Sequence, residues 1–150
     1  LSWKGFDLSA IFAYSIGGYI YNRDITMILH NGSLEGRDWS TEILRRWTPE
    51  NRYTDVPALS TTSNNWNSAS TRFLQNNSYM RLKNLTLSYN LPKQLISKLA
   101  LSSVQVFVQG DNLFTVHRNQ GLDPEQGITG ITYYRYPAMR TISGGINLSF

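Results

Sequence analysis

The two histidines, His30 and His117, are the obvious starting points for a chemical site, but they fall in different loop stretches. Neither has a cysteine or acidic partner at the spacing a metal site needs. Asp123 and Glu125, in GLDPEQG, place two carboxylates close together, a pattern compatible with acid–base work or calcium. One Asp-Pro-Glu turn brings too few oxygen ligands for calcium, so the pair reads as a capped loop turn. Serines are plentiful, yet none sits in a Gly-x-Ser-x-Gly setting. With no cysteine in the chain there is neither a disulfide framework nor a thiolate site. Asn-x-Ser/Thr triplets begin at Asn31, Asn76, Asn84 and Asn147. The last two lie inside strand patterns, which favours general Asn richness over glycosylation. The residues therefore point to no catalytic site, no metal and no cofactor, and the chain is not expected to be an enzyme.

Aromatic residues outside the strand patterns are the better candidates for recognition. Trp39, Trp47 and Trp66 lie in one long stretch, and Tyr133 and Tyr134 in another. Flat aromatic faces can stack on the apolar faces of sugars; packing within the loops or contact with a partner protein is the reading favoured for the tryptophans.

These candidates sit on an unusual composition. Of 150 residues, 41% are apolar and 13% aromatic, but only 16% are charged, against about 25% in ordinary soluble proteins. The net charge of +4 is scattered along the chain, so no nucleic-acid surface is expected. No signal peptide is visible at the start. No apolar run approaches the roughly 18 residues of a membrane-spanning helix. The negative mean hydropathy does not exclude membrane strands, because their two faces average out.

Four segments alternate with strand periodicity: 4–14, 79–90, 103–114 and 140–150. The first puts Phe6, Leu8, Ala10, Phe12 and Tyr14 on one face. The second sets Leu85, Leu87 and Tyr89 against Asn84, Thr86 and Ser88. The third sets Val104, Val106 and Val108 against Gln105 and Gln109, with Phe107 as an exception on the polar face. The fourth sets Ile142, Gly144, Ile146, Leu148 and Phe150 against Thr141, Ser143, Gly145, Asn147 and Ser149. Arg81 and Lys83 fall on the apolar phase of the second segment, where long cations would snorkel to headgroups or meet anionic lipopolysaccharide. The connections run long, short, long. Within the first, residues 38–47 carry helical spacing at Trp39, Ile43 and Trp47, a Glu42–Arg46 pair and a stop at Thr48-Pro49. Within the short one, Pro92 suits a first helical turn.

Long alternating strands with short turns at one end and long loops at the other are the mark of an outer-membrane β-barrel. A soluble carbohydrate-binding β-sandwich is the alternative, with the apolar faces as its core and Trp66 or Tyr133-Tyr134 as a sugar platform. The two differ in whether Leu8, Phe12, Leu87, Val106, Ile146 and Phe150 face lipid or protein.

The last eight residues, SGGINLSF, resemble the C-terminal assembly signal of outer-membrane barrels, with Ser143, Gly145, Leu148 and Phe150 in its positions. Three further blocks resemble the SusC/RagA-type TonB-dependent transporters: SYMRLKNLTLSYNLPKQL at 78–95, VQVFVQGDNLFTVHRNQGLDPEQG at 104–127 and RRWTPENRYTDVPAL at 45–59. The opening WKGFDLSAIFAYSIGG fits too. That resemblance implies an all-β fold in which residues 1–150 form the last four antiparallel strands of a barrel of about 22 strands, the plug and earlier strands lying outside this sequence. It implies extracellular loops at 15–78 and 115–139, a periplasmic turn at 91–102, and Phe150 as the C-terminus. The partners implied are outer-membrane lipid, a SusD-like surface lipoprotein, the TonB complex acting through the absent N-terminal regions, and a glycan or oligopeptide substrate. Asn84, Thr86, Gln105, Gln109 and Asn147 would then face a watery lumen or the plug.

Overall fold

The computed structural model describes the chain except for residues 31, 33, 35, 61, 63–67, 98–100, 120, 126–129, 133 and 134. In chain order the elements are β1 (Ser2–Trp3), β2 (Phe6–Ser15), β3 (Tyr19–Asn22), α1 (Arg23–Ile28), β4 (Leu74–Asn76), β5 (Tyr79–Asn90), α2 (Lys93–Ile96), β6 (Ser103–His117), β7 (Ile131–Thr132) and β8 (Thr141–Ser149). They divide into two compact units: Leu1–Gly17, Asn77–Arg118 and Pro137–Phe150 in the first, Gly18–Asn76 and Asn119–Tyr136 in the second.

The first unit is one antiparallel sheet in the order β1-β2-β5-β6-β8. The alternating segments become its four long strands, as their period of two requires. The start differs from the expected strand at Lys4. Lys4 and Gly5 have φ of 46° and 88°, the two left-handed residues of a tight hairpin turn, and Trp3 pairs with Phe6 across it. Alternation carries no mark of a positive φ, so the turn was hidden inside a continuous strand pattern. A β-carbon at Gly5 would stand 3.0 Å from the Asn90 carbonyl oxygen and 3.2 Å from the Tyr89 ring. Glycine lets the turn seat there, and the Asn90 N–H donates to the Gly5 carbonyl at 2.8 Å. The β1–β2 turn and the short connection after β5 thus share one end of the sheet, while the long connections leave from the other. In that short connection Pro92 precedes α2 rather than entering it, and Ile96 is buried.

One irregularity changes the reading of β5. Ile11 pairs with Asn84 and Phe12 with Leu82, leaving Lys83 as an extra residue in β5. On the other side Leu82 pairs with Phe114 and Asn84 with Asp111, with Asn112 at φ 52° in the bulge. A β-bulge of this kind inverts the phase of the strand that carries the extra residue. Above Lys83 the even residues Met80 and Leu82 therefore share the face of Tyr14, Phe12, Val116 and Phe114. Arg81 is turned to the opposite face. It is only 4% exposed, and its Nε donates to Thr115 Oγ1 at 2.8 Å. The expectation that Arg81 reaches lipid headgroups is corrected by this bulge.

The second unit has its own core, around Ile20, Leu29, Ile43, Val56 and Phe73. Its sheet has the order β4-β3-β7, with β3 antiparallel to β4 and parallel to β7. The two long connections are thus one folded body, a long-range pairing that local patterning cannot reveal. Asn22 caps α1, its Oδ1 accepting from the Ile25 N–H at 3.1 Å. The helix expected at 38–47 is shortened to a 3-10 helix, Thr41–Arg45, capped by Ser40. Its three-residue turn brings i and i+3 together, so Glu42 meets Arg45 at 3.4 Å instead of Arg46. The flanking tryptophans have other bonds. Trp39 Nε1 donates to His30 Nδ1 at 3.0 Å, and the Trp47 N–H donates to the Val56 carbonyl at 2.8 Å.

Candidate functional site

The sheet of the first unit carries two chemically opposite faces. One is apolar and open to its surroundings. Directly paired residues of antiparallel strands share a face, which collects Phe6, Leu8, Phe12 and Tyr14 of β2 with their β5 partners Tyr89, Leu87, Leu82 and Met80. It continues through Val106, Val108, Phe114 and Val116 of β6 to Ile142, Ile146 and Leu148 of β8. The six side chains that separate lipid from a protein core are all exposed: Leu8 42%, Phe12 52%, Leu87 47%, Val106 40%, Ile146 63% and Phe150 92%. A water-soluble surface of that continuity would be costly at about 25 cal/mol for each Å² of apolar area.

The other face is polar and internally bonded. Asn84 Nδ2 donates to Asp111 Oδ1 at 2.8 Å, Thr86 Oγ1 to Asn84 Oδ1 at 2.9 Å, and Gln109 Nε2 to both Asp111 oxygens at 3.2 Å. Towards the short-turn end, Asn147 Nδ2 donates to Gln105 Oε1 at 3.1 Å and Gln105 Nε2 to Ser88 Oγ at 3.3 Å. Asp7 accepts from Asn90 Nδ2 at 2.7 Å and from the Ser2 hydroxyl. All five residues expected on the polar face are there. The acceptor that joins two of them, Asp111, was not placed on this face by the sequence pattern. Its signal was present: a lone acid between two apolar runs, at the register of Asn84.

The four residues of the assembly-signal pattern divide between the faces. Ser143 is opposite Gln109 and Gly145 opposite Phe107 on the polar side; Leu148 is opposite Val104 on the apolar side. Phe150 follows the strand, and the preceding Ser149 carbonyl accepts from the Ser102 N–H at 2.8 Å. The open backbone edge of β8 is the edge a further strand would use.

In the second unit, Trp39 and Trp47 are 45% and 44% exposed. Trp47 lines an open cavity of about 370 Å³ together with Thr54, Asp55, Val56, Pro57 and Ala58. The cavity wall is set by a knot of turns: Thr54 Oγ1 donates to the Arg45 carbonyl at 2.6 Å, and Asn51 Nδ2 to the same oxygen at 2.9 Å. Trp66, Tyr133 and Tyr134 lie outside the described residues. Tyr53 and Tyr136 are almost fully exposed. His30 is buried and His117 ends β6 opposite Tyr79. Asp123 Oδ1 accepts from the Glu125 N–H at 3.0 Å, a turn-capping arrangement. Among the described residues no three His, Asp or Glu side chains form a group able to hold a metal.

No family model matches the chain. Over its whole length it is 33% identical to TonB-dependent receptor P3 of Formosa agariphila and 30% identical to TonB-dependent receptor P26 of the same organism. It spans 15% and 16% of the length of these curated relatives. Among solved structures it is similar to the RagAB peptide transporter, with a TM-score of 0.85 and 35% identity over 99% of the chain and 16% of that structure's chain. The RagAB peptide importer in its open-open state gives a TM-score of 0.87 at 36% identity with the same coverage.

Proposed function

The chain belongs to the TonB-dependent receptors, whose barrel wall its long strands match, and from that premise we propose that it serves an outer-membrane transporter importing oligopeptides. The observation that carries this reading is the pairing of an exposed apolar face with a hydrogen-bonded polar face on the same strands. The apolar face meets lipid and the polar face lines the lumen or contacts the plug. The Lys4-Gly5 turn marks the periplasmic end of the sheet, and the connections 15–78 and 115–139 are read as extracellular loops. Uptake is driven by TonB through regions outside this sequence, and a SusD-like surface lipoprotein covers the extracellular loops. The identity of 35% to a peptide transporter supports a peptide over a glycan. Trp39, Trp47, Trp66, Tyr133 and Tyr134 are the loop residues assigned to substrate or partner.

The carbohydrate-binding sandwich would need the six discriminating side chains in a core, and their exposure argues against it. Fractionation of the full-length protein decides between the two. Extraction from outer membranes only by detergent is expected, followed by TonB-dependent uptake of labelled peptides. Recovery in the soluble fraction overturns the transporter. Uptake of oligosaccharides but not peptides overturns the substrate class alone.

A further inference from the structure

Between Gln105 and Gln109 on the polar face stands Phe107, the apolar exception of β6. It pairs directly with Gly145 of β8. A β-carbon on Gly145 would lie 2.8 Å from the Phe107 Cζ and 2.9 Å from its Cε1. The ring therefore occupies the space that any other residue at 145 would fill with its own side chain. An aromatic laid across a strand glycine is a known means of fixing cross-strand pairing.

The pairing of β6 with β8 needs such a means. A slip by one residue would exchange the faces of β8, and alternation alone forbids it. A slip by two preserves both faces. In one direction Val104, Val106 and Val108 would meet Ile146, Gly144 and Ile142; in the other they would meet Phe150, Leu148 and Ile146. Gln105 and Gln109 would again meet small or polar residues. Besides the Asn147–Gln105 hydrogen bond, which belongs to the native pairing, Phe107 distinguishes the registers: it would face Ser143 or Asn147, and each has a β-carbon where the ring lies.

We propose that Phe107 and Gly145 form a register key that selects the pairing of the terminal strand during barrel assembly. Gly145 is in this view a receptor for the ring, besides being part of a C-terminal signal. The inference rests on the barrel reading for its biological setting, but the register of β6 and β8 can be measured wherever the protein resides.

The test uses the full-length protein with cysteine pairs that leave the key untouched. Gln105→Cys with Asn147→Cys forms a disulfide in the native register; Gln109→Cys with Thr141→Cys forms one only after a two-residue slip. With Phe107 and Gly145 intact, the protein carrying the cysteine pairs is expected to give the first disulfide alone. Exchanging the two small residues, Ser143→Gly with Gly145→Ser, moves the receptor by two positions. The slipped disulfide should then appear at the expense of the native one, and adding Phe107→Ala should remove that preference. Native disulfide alone in the exchanged protein overturns the key. Should the exchanged protein fail to assemble, Phe107→Ala by itself is read: a mixture of both disulfides supports the key, and the native one alone overturns it. Solubility of the protein without substitutions overturns the transporter reading separately, because the disulfide pattern of the cysteine-bearing proteins still reports the register.

Discussion

Asn84 and Asp111 face each other across β5 and β6, amide to carboxylate at 2.8 Å, one residue below the bulge at Lys83. Asp111 also accepts from Gln109. Asp111→Ala would leave both amides without this acceptor on a part-buried face, at about 1–3 kcal/mol. Asp111→Asn keeps the shape and part of the bonding. The alanine variant is expected to lose its heat-resistant folded form at a lower temperature on gels, and the asparagine variant to fall between. An unchanged transition for alanine would show that the network adds nothing to stability.

A charge placed on the two faces of β8 should have unequal effects. Ile146→Arg puts a guanidinium on the apolar face, where about 2–4 kcal/mol is expected near the middle of a bilayer. Ser143→Arg puts the same group on the polar face and should cost much less. Refolding into phospholipid vesicles measures both. Equal losses would contradict the assignment of the faces.

Phe73 is 1% exposed and meets the Tyr21 ring edge-on, with centroids 6.1 Å apart. Phe73→Ala empties the core of the second unit, at about 3–5 kcal/mol. Proteolysis in intact membranes should then cut within both 18–76 and 119–136, because β3 and β7 share that core, while the long strands stay protected. Cuts confined to the first stretch would mean that the two connections fold separately.

Removal of Phe150 should reduce insertion of the barrel more than substrate affinity. Surface labelling counts the inserted molecules, and peptide binding per inserted molecule reports the site. Normal insertion with weakened binding would reverse the roles proposed for this end of the chain.

Much of the wall was legible in the sequence, because a sheet with one apolar and one polar face writes its period directly into the residue order. Val106, Gln105 and Asn147 fell where alternation puts them. Arg81 did not, since one extra residue at Lys83 shifts the phase and no residue type announces a bulge. The Lys4-Gly5 turn escaped for the related reason that positive φ has no hydrophobicity. The resemblance blocks led to the family through residues such as Asn51, whose hydrogen bond to the Arg45 carbonyl helps give that loop its shape. The second unit was the least legible. Tyr21 and Ile131 are far apart in sequence yet paired in parallel, and such pairing leaves no local trace.

That parallel pairing of β3 with β7 also bears on how such loops could be exchanged between relatives. Grafting residues 18–76 from a relative without 119–136 would separate two halves of one folded unit, so the two stretches must be moved as a pair. Chimeras that transplant both stretches together should keep their fold, although the two segments lie well apart in the gene.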